Sequence, residues 1–345
     1  MIISRAPFRV SFFGGGTDYP VWYRQHGGAT LATTIDKYCY LSCRWLPPFF
    51  EYTSRIVWSK IETVKEISEI QHPAVREILR FMKVEQGIEL HHDGDLPART
   101  GLGSSSSFTV CLLHALYALK GVAPTKMKLA KDAIEVEQDR LKENVGSQDQ
   151  VIVSFGGFNR INFSQNGEID VDPVVMDPDR LARLQDHLML VYTGLSRNSS
   201  EIAAEQIRAT DQRQDQLRVI HQMVDEAIRI LQGKSDLDRI GYLLHESWIL
   251  KRSLTHRIST PLVDQIYETA LALGATGGKL LGAGGGGFLL LFVKPEYQER
   301  VSQGLDGLLK VPFRFESSGS RIIFKDADLK GQGEPVVLPE VSSHA

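Results

Sequence analysis

The chain has 345 residues, 42% of them hydrophobic and 23% charged, with a formal net charge of −3. At roughly 100–200 residues per domain this predicts about two domains, and a charge so near balance argues against nucleic acid or an anionic membrane as the main partner. The cysteines Cys39, Cys43 and Cys111 form no disulfide framework and no pair of zinc half-sites, so they are expected as reduced, packed thiols.

The first 13 residues alternate and are rich in Ile, Phe and Val, which predicts a strand running into Gly14-Gly15-Gly16. Their apolar stretch is short and broken by Arg9, unlike a signal peptide or a membrane span, so the cytoplasm is the expected setting. Residues 29–46 read as one or two strands, ended by Pro47-Pro48. A helix is predicted over 72–82 and a short strand over 87–91. Residues 95–107 form a Gly- and Ser-rich loop leading into an all-round apolar helix over 108–119. An amphipathic helix is predicted over 125–144, with Pro124 at its start, and a strand within 151–163. Residues 165–178 carry Asn-Gly, several Asp and two Pro, and the domain boundary is placed there, giving 1–170 and 171–345. Beyond it come a strand over 188–193, charged helices over 200–232, helices over 237–250 and 261–273, and a stretch of eight glycines within 274–287. A buried strand over 288–293 follows, and a polar tail begins at 330. No internal repeat is evident. The mixture of strands and helices indicates α/β or α+β architecture.

Gly101-Leu102-Gly103-Ser104-Ser105-Ser106-Ser107 is the most informative segment. Glycines let backbone approach a ligand closely, and the first N–H groups of a helix lack internal partners and favour an anion. With consecutive hydroxyls added, this is a phosphate-binding design. It is no Walker A loop, because no Gly-Lys-Ser/Thr follows. The loop at Gly282-Ala283-Gly284-Gly285-Gly286-Gly287 has a Rossmann-like spacing but precedes a strand instead of a helix. It reads as a tight loop around a ligand or against the other glycine loop. Asp18, after Gly14-Gly15-Gly16-Thr17, is either a turn residue or a ligand-binding one.

Together these segments resemble the GHMP kinase family. The first family motif is similar to Ala6-Pro7-Phe8-Arg9-Val10 through Thr17-Asp18-Tyr19, the second to Pro97–Ser105, and the third to Gly282–Gly287. Galactokinases have Gly-Glu-His where this chain has Gly14-Gly15-Gly16, which speaks against galactose. The finer pattern, in 97–107, Gly146-Ser147-Gln148-Asp149-Gln150 and 192–197, is similar to the D-glycero-D-manno-heptose 7-phosphate kinases and is shared in large part by fucose kinases.

The resemblance implies a two-domain α+β fold. It pairs an N-terminal α/β domain containing a left-handed β-α-β unit with a C-terminal ferredoxin-like domain, and the active site lies between them. It implies an ATP- and Mg²⁺-dependent kinase acting on a sugar or sugar phosphate. The nucleotide would be held by Pro97, Arg99, Gly101, Leu102, Gly103, Ser104, Ser105 and Ser106, and Mg²⁺ by Ser105 and Glu137. Asp149 would be the catalytic base and Arg9 its partner. Gly15, Gly16, Thr17, Asp18, Asp36, Gly284 and Gly285 would face the sugar, and Arg197 and Lys279 a substrate phosphate. Another sugar (fucose, mannose or unphosphorylated heptose), a non-catalytic ligand sensor on the same fold, and homo-oligomerisation all stay open on the sequence alone.

Overall fold

A computed structural model describes residues 1–195 and 199–326. Arg197, one of the expected phosphate ligands, and the tail from 330 lie outside those residues. Seven strands open the chain: β1 (Ile2–Phe13), β2 (Gly28–Trp45), β3 (Ser54–Val57), β4 (Ile61–Val64), β5 (Ile88–Gly94), β6 (Phe158–Phe163) and β7 (Ile169–Pro173). The 18-residue β2 is the spine of their sheet: it pairs with β1 along most of its length, with β6 near its start and with β5 near its end. β3 and β5 run parallel, with the helix Pro73–Phe81 between them in sequence.

The helix Ser104–Leu119 packs against β1 and β2. It is apolar on nearly every face and buried on nearly every face, as a core helix must be. The helices Lys126–Ile134 and Gln148–Phe155 close the core over it. The strand expected within 151–163 is β6, and residues 151–155 before it are helical. Their Val-Ile-Val run is β-prone in isolation, but tertiary packing overrides that preference. Cys39, Cys43 and Cys111 are free, buried thiols in this core.

The second sheet contains β8 (Leu188–Tyr192), β9 (Ala275–Leu280), β10 (Phe288–Val293) and β11 (Leu309–Lys310), in the antiparallel order β11-β8-β10-β9. Helices fill the β8-to-β9 and β10-to-β11 connections, which is the ferredoxin-like β-α-β-β-α-β arrangement. Two last strands, β12 (Phe315–Glu316) and β13 (Arg321–Lys325), return to the first sheet and pair with β2 and β1. The division expected at 170/171 therefore falls inside β7, and the C-terminal unit ends near residue 311, not at the end of the chain. No helix among the described residues is long and apolar enough to cross a membrane.

Candidate active site

The two domains meet over a cavity of about 740 Å³. At its floor β1 delivers Arg9, 3% exposed. Its Nε donates to Asp149 Oδ1 at 2.6 Å and its Nη2 to Asp149 Oδ2 at 2.5 Å. Such a two-point fork fixes orientation as well as charge. The third arm, Nη1, donates to Gly101 O at 2.6 Å. One guanidinium thus ties together β1, the glycine-serine loop and the first turn of the helix Gln148–Phe155, where Asp149 sits.

The loop itself adopts the backbone its composition predicts. Gly101 and Gly103 have φ of 82° and 75°, a region open chiefly to glycine. A Cβ on Gly103 would stand 3.1 Å from Arg9 Cγ and 3.3 Å from Asp149 Oδ2, so the ion pair is pressed against bare backbone. The helix begins at Ser104, and Ser107 N–H makes the return bond to Gly103 O. The amides of Ser104, Ser105 and Ser106 precede that bond and are the helix-terminal donors suited to an anion. Arg99 lies beside them, its N–H donating to Ser104 Oγ at 3.1 Å. Pro97 O accepts from Thr100 Oγ1 and Leu102 is fully buried, so these two shape the loop from behind and do not line the cavity.

Glu137 is fully buried. The helix expected over 125–144 changes at Glu135–Arg140 into a π-helical turn, a local widening that often marks functional sites. Glu137 Oε2 accepts from Ser106 Oγ at 2.9 Å and from Gln150 Nε2, while Oε1 has no hydrogen-bond partner. Burial pushes its carboxyl up to about 7. Ser105, the expected companion of Glu137, is exposed; the buried hydroxyl of Ser106 makes the contact instead. Helical register explains the change, because successive residues at a helix start point about 100° apart.

Asp18 is held almost wholly by backbone. Oδ1 accepts from Gly16 N–H at 2.9 Å and Oδ2 from Gln148 N–H at 3.4 Å. A Cβ on Gly146 would fall 1.8 Å from Asp18 Oδ2. Asp18 therefore acts as a turn residue that seats the Gly146–Asp149 segment, and its carboxylate also borders the cavity beside Gly15 and Gly16. Thr17 points away, its hydroxyl donating to Gly14 O and Ala29 O. Burial, with the charge of Asp149 adding to it, pushes the Asp18 carboxyl up to about 6. The folded state then keeps this proton to higher pH than the unfolded one. The contribution of Asp18 to stability therefore falls as pH rises from about 4 to about 6 and is flat above. Relative to Asp18→Asn, the unfolding free energy should lose on the order of 3 kcal/mol across that window. Urea denaturation of both proteins at several pH values measures it, and a pH-independent difference would contradict it.

The opposite wall carries Lys279 and, unforeseen from the sequence, Lys251 of the helix Asp238–Leu254. Gly282 and Ala283 line the cavity, whereas Gly284 and Gly285 turn away onto Ile258: Gly285 N–H donates to Ile258 O at 2.8 Å. Asp36 also lies elsewhere, accepting from Arg314 N–H at 2.8 Å and from Lys37 Nζ at 3.2 Å. The two glycine loops touch, since a Cβ on Gly282 would come within 2.6 Å of Gly101 Cα. At the far end the cavity is bordered by a ring cluster that sequence reading missed. His72 stacks on Phe108 at 5.0 Å, with Trp58 and His92 edge-on around them. Trp58, His72, His92 and Phe108 come from four separate segments, so no local pattern announced them.

Comparison with known proteins agrees with this geometry. Residues 64–157 match the model of the GHMP kinases N terminal domain, and residues 223–309 that of the GHMP kinases C terminal domain, together just over half of the chain. A D-glycero-alpha-D-manno-heptose 7-phosphate kinase of Campylobacter jejuni is 27% identical over 320 residues, covering 88% of this chain and 93% of that one. A galactokinase of Pyrococcus furiosus is 25% identical, over 88% of this chain and 92% of its own. Among solved structures, a D-glycero-D-manno-heptose 1-phosphate kinase from Bacteroides thetaiotaomicron superposes with a TM-score of 0.75 at 24% identity, covering 95% of this chain and all of that one. With both domain models matched in order and the Arg9–Asp149 pair set against the phosphate loop, the chain belongs to the GHMP kinase family.

Proposed function

We propose that this ATP-dependent carbohydrate kinase transfers the γ-phosphoryl group of ATP to the anomeric O1 of D-glycero-D-manno-heptose 7-phosphate, giving the 1,7-bisphosphate and ADP. The reaction would supply GDP-heptose for surface polysaccharide, in the cytoplasm. The observation that carries the reading is the bidentate Arg9–Asp149 pair at the mouth of a helix-terminal anion site. Asp149 accepts the proton of the attacking hydroxyl as the new O–P bond forms and the bond to the leaving ADP oxygen breaks. Arg9 aims that carboxylate and faces the charge on the moving group. Amides of Ser104 to Ser106 hold the nucleotide phosphates, and the ring cluster around Phe108 offers stacking surface for the base.

The buried, half-partnered carboxylate of Glu137 fits a hard cation, with the hydroxyl of Ser106 beside it. Mg²⁺ held there would neutralise phosphate charge in the transition state. Sugar identity rests on the heptose phosphate kinase likeness and on Gly14-Gly15-Gly16, which leaves no side chains where galactokinases contact galactose.

The test is ADP release with ATP and Mg²⁺ against D-glycero-D-manno-heptose 7-phosphate, the unphosphorylated heptose, mannose, fucose and galactose. Selective turnover of the heptose 7-phosphate is expected, with at least about tenfold preference in kcat/KM. Turnover confined to a neutral sugar would replace the substrate assignment. ATP binding without turnover of any sugar would favour a ligand sensor.

A further inference from the structure

We propose that Lys251 and Lys279 form the seat for the substrate's own phosphate on the C-terminal-domain wall, so that the acceptor spans the domain interface with its reacting hydroxyl against Asp149 and its phosphate between the two ammonium groups. This rests on the sugar-phosphate reading above and adds to it a second lysine and an orientation.

Both side chains are buried, 9% and 3% exposed, and both line the cavity. Lys279 Nζ donates to Phe12 O at 2.8 Å, and Lys251 Nζ donates to Gly282 O and, at 3.4 Å, to Leu280 O. Among the described residues neither makes an ion pair with a carboxylate. An ammonium has three donors, so these bonds leave two on Lys279 and one on Lys251. Two buried cations held only by carbonyls are costly unless an anion joins them. Burial and the neighbouring cations push both downward, Lys251 to about 8 and Lys279 further below the lysine range. A phosphate dianion between them would remove that stress.

Position separates the Lys279 end of this seat from that of the transferring group, whereas Lys251, bonded to Gly282 O beside Gly101, stands at the end nearer Arg9. The nucleotide phosphates have their own donors at Ser104 to Ser106, beside Arg9. Lys279 reaches the carbonyl of Phe12, three residues along β1 from Arg9 and so roughly 10 Å further on. A sugar phosphate whose reacting hydroxyl and phosphate lie at opposite ends can bridge such a distance. Asp18 and Asp149 line the same cavity, close enough to act on the lysines, and their charge would turn a phosphate away from themselves and toward the two ammonium groups.

The experiment is steady-state kinetics on D-glycero-D-manno-heptose 7-phosphate with wild type, Lys251→Met, Lys279→Met and Lys279→Arg. Inorganic phosphate serves as a competing probe, and thermal melts and ATP binding establish that each variant is folded. Expected for each Met variant is a KM raised about 30-fold or more, with kcat changed less than about threefold. Inorganic phosphate should compete with the sugar phosphate in wild type and cease to do so in Lys279→Met. Lys279→Arg should recover part of the lost KM. A fall in kcat at unchanged KM would overturn the proposal, because the lysines would then serve the transferring group. Undiminished competition by phosphate in Lys279→Met would overturn it equally. If wild type turns over a different sugar phosphate, the heptose assignment fails while the same KM comparison on that substrate decides the seat. Turnover of neutral sugars alone overturns both.

Discussion

Asp149→Asn should lower kcat by about three to four orders of magnitude while leaving ATP binding nearly intact. The amide keeps the shape of the carboxylate but cannot take the hydroxyl proton. It also turns an N–H₂ group toward the donors of Arg9, which is 3% exposed and has Asp149 as its ion-pair partner. Leaving that guanidinium without its carboxylate should cost on the order of 3 kcal/mol of stability. Rapid-quench measurement of the phosphoryl-transfer step, with urea denaturation alongside, separates the two effects. A kcat within tenfold of wild type in a folded protein would remove Asp149 from the chemistry.

Gly101→Ala is expected to be nearly as damaging, by a different route. Its φ is 82°, and a Cβ there would stand 2.4 Å from Leu281 O and 2.9 Å from Leu281 C. Left-handed backbone costs a non-glycine residue roughly 1–2 kcal/mol, and the clash adds displacement of one domain's loop from the other. Arg9 loses the placement of its third acceptor, Gly101 O, in the same movement. A KM for ATP raised at least about tenfold and a stability loss of about 2–4 kcal/mol are expected. Gly121→Ala is the control: its φ is 72°, but nothing lies within 4 Å of the added Cβ. It should show the backbone strain alone, about 1 kcal/mol, with unchanged kinetics. Equal KM effects from both changes would refute the inter-loop contact as the cause.

The parts of the site that were legible in the sequence are those written in contiguous residues. Gly101 to Ser107 running into an apolar helix specifies an anion site through composition alone, and the glycines from 282 onward specify a tight loop. What joins them is not local. Arg9 and Asp149 are 140 positions apart, and only the family pattern paired them. Ser106 displaced Ser105 beside Glu137 through helical register, and Glu137 faces inward on a π-helical turn that hydrophobic periodicity does not encode. Lys251 was hidden because it reads as one more charge on a helix, among exposed neighbours such as Ile249, until the fold turns it into the cavity. Asp36 failed in the opposite direction. It ends a strand-like run close to the motifs, yet its carboxylate is taken by the backbone of Arg314.

The return of β12 and β13 to the first sheet has a mechanical consequence. The ferredoxin-like unit is an insertion, entered after β7 and left again after β11, and so carried on two tethers instead of hanging from one. A body on one tether can tumble; a body on two swings about the line that joins them, as a door does on a pair of pins. Two tethers limit any movement of one unit against the other to rotation about a single line. In this structure the Gly282 loop already rests against Gly101 across the line between the two units, and Lys251 lines the chamber beside it.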